Sequence, residues 1–188
     1  MNIVQIGCNN GRDHVLSFIL SNQNNVENIY LIDASDKSIE LAKDTYKNFK
    51  NVKFYTMAIS DNENVDELEL FFPSGDKVSE HISYSKNHVE KHLHPNVDSF
   101  LIKASTLNKF LDENQIKSNI YLFIDTEGLD CRIVNTIDFD KFDIKFIRYE
   151  ISHCAASCNG CYEESISLLN SKNYKISRVV DDIIGEKV

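Results

Sequence analysis

Apolar runs of strand length alternate with amphipathic stretches along most of the chain. Asn2–Ile6, Asn28–Ile32 and Val52–Met57 read as strands, and Asn119–Asp125 and Asp143–Glu150 as later ones. The run "NIYLFID" is almost wholly apolar, the pattern of a strand covered on both faces. Between these runs the spacing changes to that of helices. Asp13–Ser21 carries Val15, Leu16, Phe18 and Ile19. Asp36–Phe49 carries Ile39, Ala42, Tyr46 and Phe49 on one face, with Asp36 as the expected N-cap. Ser105–Gln115 presents Leu107, Phe110 and Leu111, and Tyr162–Ser171 opens with Glu163 and Glu164 at the positive end of a helix dipole. Tyr174–Val180 reads as a strand, with Ile183–Val188 as a short last strand completing a hairpin. Repeated strand–helix alternation predicts one α/β domain over residues 1–188, with a doubly wound, mostly parallel sheet flanked by helices.

One stretch breaks the rhythm. Leu68–Phe72 looks like an extra strand, and residues 73–97 are polar without clear periodicity. This segment holds both prolines and His81, His88, His92 and His94. It reads as an insertion before the fourth core strand, a loop or lid over one end of the sheet. His88 and His92 stand four residues apart, which suits one helix face. A metal site there competes with a polar wall of an acceptor pocket.

Composition narrows the function classes. With 29 Asp and Glu against 20 Lys and Arg, the formal charge is −9, and the lysines are scattered among carboxylates. Such a surface repels phosphate backbones, so no nucleic-acid partner is expected. No run is long enough to span a bilayer, and Met1–Gly7 lacks the features of a signal peptide. A cytoplasmic protein without a membrane partner is expected. Five cysteines then favour reduced thiols or metal ligands over a disulfide framework.

In open α/β sheets, ligands bind beyond the carboxyl ends of the strands, where strand order reverses. The first strand runs into "QIGCNNGRD", with Gly7 and Gly11 at a strand-to-helix turn. Asn9 and Arg12 fill positions that a nicotinamide fingerprint reserves for glycine, which argues against a dinucleotide oxidoreductase. The second strand ends in Asp33, about 20 residues further on, where a carboxylate accepts ribose hydroxyls. Asp125, Glu127, Glu150 and His153 follow the ends of later strands. The same rim thus gathers acids, bases and potential ligands.

These positions resemble the FkbM-like family of class I S-adenosylmethionine (SAM)-dependent methyltransferases, from about Ile3 to Tyr174. "IGCNNG" is similar to the family's glycine loop, "YLIDAS" to its ribose-binding strand end, and "MAISD" to its adenine-side stretch. "STLNKFL" resembles its Thr-Leu-Asp helix start, and "LFIDTEGLDCRIV" its Lys-Ile-Asp-x-Glu-Gly signature. Gln5 and Phe123 depart from the usual acid and lysine. The resemblance implies a Rossmann-like fold and methyl transfer from SAM, most often to a hydroxyl of a sugar or other small metabolite. Gly7, Asn9, Gly11, Asp33 and Ala34 would hold the cofactor, and Met57 and Ala58 would line the adenine. Asp125, Glu127, Glu150 and His153 become the catalytic candidates. His153 is the expected base because its ordinary pKa lies near neutrality. Two carboxylates and a histidine also suit Mg2+.

"HCAASCNGC", residues 153–161, has the C-x3-C-x2-C spacing of radical SAM enzymes. Only residues 162–188 follow it, too few for the rest of such a barrel. Two readings stay open: a structural Zn2+ site on Cys154, Cys158 and Cys161, with or without His153, and free thiols in an active-site loop. A second function class also stays open, a catalytically silent SAM-fold module whose metal-held cysteine loop is a contact surface.

Overall fold

A computed structural model describes residues 1–75, 82–92, 96–154 and 158–188. In chain order its elements are β1 (Asn2–Ile6), α1 (His14–Ser21), β2 (Asn28–Asp33), α2 (Asp36–Thr45), β3 (Val52–Thr56), β4 (Ala58–Ser60) and β5 (Glu67–Pro73). Then follow α3 (Lys86–His92), β6 (Val97–Thr106), α4 (Leu107–Glu113), β7 (Ile120–Ile124), α5 (Asp130–Asn135) and β8 (Ile144–Glu150). The chain ends with α6 (Cys161–Ser171), β9 (Tyr174–Val179) and β10 (Asp182–Lys187). Among the described residues no helix is long and apolar enough to cross a membrane.

The main sheet runs β3-β2-β1-β7-β8-β10-β9. Neighbours are parallel except β10, which is antiparallel to both β8 and β9. This is the doubly wound sheet that the alternation predicts, closed by the expected terminal hairpin. Side chains alternate across β1, as a strand requires. Val4 and Ile6 join a core with Phe110, Leu111, Ile133 and Val134 of α4 and α5. Ile3 joins the opposite core with Val15, Ile19 and Ile39 of α1 and α2. Strand order reverses between β1 and β7, which opens a crevice at their carboxyl ends.

Several boundaries differ from the sequence expectation. Asp13 caps α1 from outside, accepting the N–H groups of Val15 (2.8 Å) and Leu16 (3.2 Å). Ser35 rather than Asp36 caps α2, since its Oγ accepts the Ser38 N–H at 3.2 Å. Ser105 and Thr106 belong to a strand, and Thr106 caps α4. The largest difference is β6, which pairs antiparallel with β5 and parallel with β4 in a second, small sheet. The segment 73–97 is therefore the connection of an antiparallel pair. Within it, Ser83 bridges Phe71 of β5 through N–H···O bonds of 2.8 and 3.0 Å. His81 and His94, and the side chain of His92, lie outside the described residues, so the proposed His88–His92 pairing does too.

Candidate active site

The carboxyl ends of β1, β2 and β7 border a cleft of about 480 Å³. Gly7 has φ 76°, and a Cβ there would lie 1.7 Å from the Asp125 carbonyl oxygen. Only glycine lets β1 and β7 approach so closely at this turn. Asn9, at φ 44°, aims its N–H at Asp33 Oδ2 (2.7 Å), while the Ser35 N–H reaches Oδ1 (2.8 Å). Burial raises the Asp33 pKa, and these amide donors oppose it. Gly7, Asn9, Asp33, Ala34, Met57 and Ala58 all line the cleft. Gly11 instead shapes the loop, at φ 69° against Tyr46 and outside the lining.

The opposite end is built by the turn "DTEGLD". Buried Asp130 accepts the Thr126 N–H (3.1 Å), the Thr126 hydroxyl (2.9 Å) and the Gly128 N–H (3.1 Å). These bonds hold Glu127 at φ 54°, a left-handed conformation that a glutamate adopts only when its surroundings impose it. Asp125 opens onto the cleft, and by surface area it is exposed there, although protein crowds its carboxyl from the other sides. That burial, followed by the charges of Asp130, Glu150, Asp182 and Asp13, pushes its pKa up to about 8. The exposed area matters most for function, because it gives a ligand access. Burial also raises Glu150, with Asp182 and Asp181 adding to it against a hydrogen bond from Ser152.

The acids and the histidine expected on one rim do meet. One oxygen each of Asp125, Glu127 and Glu150 lie within 4.8 Å of one another. His153 Nε2 stands 3.4 Å from Glu127 Oε2 and 3.9 Å from Glu150 Oε1. His88 joins them from α3, with its Nε2 3.3 Å from the same Glu127 oxygen. The sequence singled out His88 but paired it along its own helix. Ser83, five residues before it, ties the same segment to this turn, its hydroxyl donating to the Glu127 carbonyl at 2.7 Å. Asp13 was also missed as a site residue. It lines the cleft and accepts the Gln5 side-chain N–H at 2.6 Å, so an acid stands near the position where Gln5 departs from the usual pattern.

The cysteine loop differs from both readings left open by its spacing. Cys131 of α5 and Cys154 form a disulfide, as do Cys158 and Cys161. Sulfurs joined in this way are not thiolates, so Cys154, Cys158 and Cys161 form no Zn2+ site in this state. The expectation of reduced thiols is corrected too, and Cys8, buried, is the free cysteine. Sequence spacing hid Cys131 because its partner lies 23 residues away.

A family model, the methyltransferase FkbM domain, matches residues 4–176. The methyltransferase FkbM from Methylobacillus flagellatus KT is similar in structure, with a TM-score of 0.59 at 10% identity. The match covers 98% of this chain and 43% of that one, so the chain spans less than half of that relative. The CMeT domain of the citrinin polyketide synthase gives a TM-score of 0.47 at 11% identity, covering 99% of this chain and 46% of that one. A Streptococcus mutans protein solved in complex with SAH gives 0.42 at 10% identity, covering 100% and 88%. No curated protein sequence matches the chain. The family match spans the glycine turn, both ends of the cleft and most of the sheet around them, and on that ground the chain belongs to the FkbM methyltransferase family.

Proposed function

We propose that the chain, acting as one unit over 1–188, transfers the methyl group of SAM to a hydroxyl of a sugar or other small acceptor. One observation carries this reading: Asp33 and the acid–histidine cluster face each other across one cleft. Asp33 keeps lone pairs for two ribose hydroxyls beyond those held by its amide donors. Met57, Ala58 and Ile59 offer an apolar wall to the adenine. Asp13 and Glu127 make the lining acidic, which favours a cationic cosubstrate. When bound, SAM supplies an electrophilic methyl on a sulfonium. The chain's task is to hold the acceptor oxygen in line and to take its proton at Asp125, Glu150 or His153. The new oxygen–carbon bond forms as the carbon–sulfur bond breaks. Its electron pair stays on sulfur, and the acceptor's proton leaves through the base.

Calorimetry with SAM and with its demethylated product, SAH, tests the reading. Asp33→Ala is expected to weaken SAH by about 10- to 100-fold, the worth of hydrogen bonds to a charged group. Asp125→Ala is expected to abolish turnover while the domain still folds. If the parent bound neither compound, the enzyme reading would fail and the silent interaction module would take its place.

A further inference from the structure

We propose that His88, Glu127 and His153 form a divalent transition-metal site that binds the acceptor hydroxyl of the methyl transfer. This rests on the methyltransferase reading above and adds a ligand set to it. The two imidazoles meet nearly edge to face, with ring centroids 4.1 Å apart and an interplanar angle of 72°. Both Nε2 atoms converge on Glu127 Oε2, at 3.3 and 3.4 Å. All three ligand atoms lie within 4.8 Å of one another.

The distances discriminate between two arrangements. Charge-assisted hydrogen bonds between imidazolium and carboxylate are short, about 2.7–2.9 Å. An ion about 2.1 Å from each of its ligands at tetrahedral angles instead sets them about 3.4 Å apart. The two nitrogen–oxygen separations lie near that value, and seating the ion needs the two rings, 4.1 Å apart, to open slightly. The ligand types discriminate as well. Two imidazoles with one carboxylate favour Zn2+, Mn2+, Fe2+ or Co2+ over Mg2+, which prefers oxygen. Among the described residues this set offers three ligands, the number that catalytic sites use when a fourth position is kept for substrate. Glu127 and His153 both line the cleft, so that position faces the ligand.

The surroundings fit this role. The Asp130-braced turn holds Glu127, and the Ser83 hydroxyl ties the segment carrying His88 to the same turn. Asp125 and Glu150 each place an oxygen within 4.8 Å of a Glu127 oxygen, near enough to act on what the ion holds. A divalent ion held by His88, Glu127 and His153 would acidify a hydroxyl bound to it. Its proton passes to Asp125 or Glu150, because His153, as a ligand, no longer serves as base. The acceptor oxygen would then bond to the methyl carbon of bound SAM as the carbon–sulfur bond breaks with its electron pair left on sulfur, and the carboxyl group would pass its proton to water.

The test is Co2+ titration of the unreduced, chelator-washed chain, followed by visible absorption and calorimetry, beside His88→Ala and His153→Ala. The expected result is one Co2+ per chain with d–d bands and no sulfur-to-metal charge-transfer band. Each variant should lose affinity by on the order of 100-fold or more, since even outer partners of a ligand are worth 10- to 100-fold. His88 lies outside the SAM end of the cleft, so SAH should bind His88→Ala as it binds the parent, which also shows that the variant folds. His88→Gln provides a second variant if the alanine form fails that check. Variants that hold Co2+ as the parent does, a thiolate charge-transfer band, or no Co2+ binding by the parent would each overturn the site. Loss of SAH binding in the parent with Co2+ binding intact would instead overturn the SAM reading and leave the metal site standing.

Discussion

At the scale of single residues, Asp125 combines access with an unfavourable charge. Its pKa rises from 3.8 to about 8 in the folded chain, so the folded state binds this proton more tightly than the unfolded state does. The stability this group contributes is therefore complete below about pH 4 and is lost as pH rises towards 8. Asn resembles the protonated carboxyl and does not titrate. Asp125→Asn should thus match the parent's Tm near pH 4 and exceed it by a gap that opens up to about pH 8, while turnover is lost. Tm measured across that range decides the matter, and two parallel curves would contradict the shift. Asp130 is the counterpart that supports the turn. Buried and accepting three hydrogen bonds, it should cost about 1–3 kcal/mol when replaced by Ala, measured by urea unfolding. Strand-end logic made Asp33, Asp125 and Glu150 legible in the sequence, because a parallel sheet delivers its strand ends to one rim. Asp13 was not legible as a cleft residue, since capping and lining place the same demand on an acid after a glycine loop.

At the scale of elements, the segment between β5 and β6 completes the candidate site. Ser83 is tied to β5 on one side and to the Glu127 carbonyl on the other, and so joins the segment that leads into α3 and His88 to the Glu127 turn. Ser83→Ala should remove about 1 kcal/mol of stability and leave the main sheet intact. Amide hydrogen exchange should quicken within 82–92 and around Glu127, with β1 and β2 unchanged. A change spread evenly over the chain would argue against this local tie. The main sheet was legible because buried parallel strands read as continuous apolar runs. β6 was not, because its first residues alternate in a pattern that also carries Asp98, Ser99 and exposed Leu101. A half-exposed strand of a small sheet has little apolar signal to distinguish it from a loop. α5 was hidden for the opposite reason: six residues form too short a helix to show a period.

At the scale of the whole molecule, the cysteine pairs join parts that the sheet alone does not. Cys131 lies in α5, directly after Asp130, and Cys154 follows His153. The bond between them thus ties the Glu127 turn to the loop carrying the second imidazole, with Cα atoms 6.0 Å apart. The pair Cys158–Cys161 ends that loop where α6 begins. Closing a loop across a separation of 23 residues stabilises a fold by about 3 kcal/mol, chiefly by restricting the unfolded chain. The double variant Cys131→Ser, Cys154→Ser should lose about that much in urea unfolding. It should also bind Co2+ more weakly than the parent, because the loop carrying His153 is then no longer tied to the Glu127 turn. Thiol counting checks the premise. The unreduced chain, unfolded in denaturant, should show only the Cys8 thiol, and full reduction should expose all five cysteines. Four further thiols without reductant, together with stoichiometric Zn2+ that His88→Ala does not displace, would return the cysteines to the metal-binding role that their spacing first suggested. The bridging role assigned here to Cys131 and Cys154 would then be wrong.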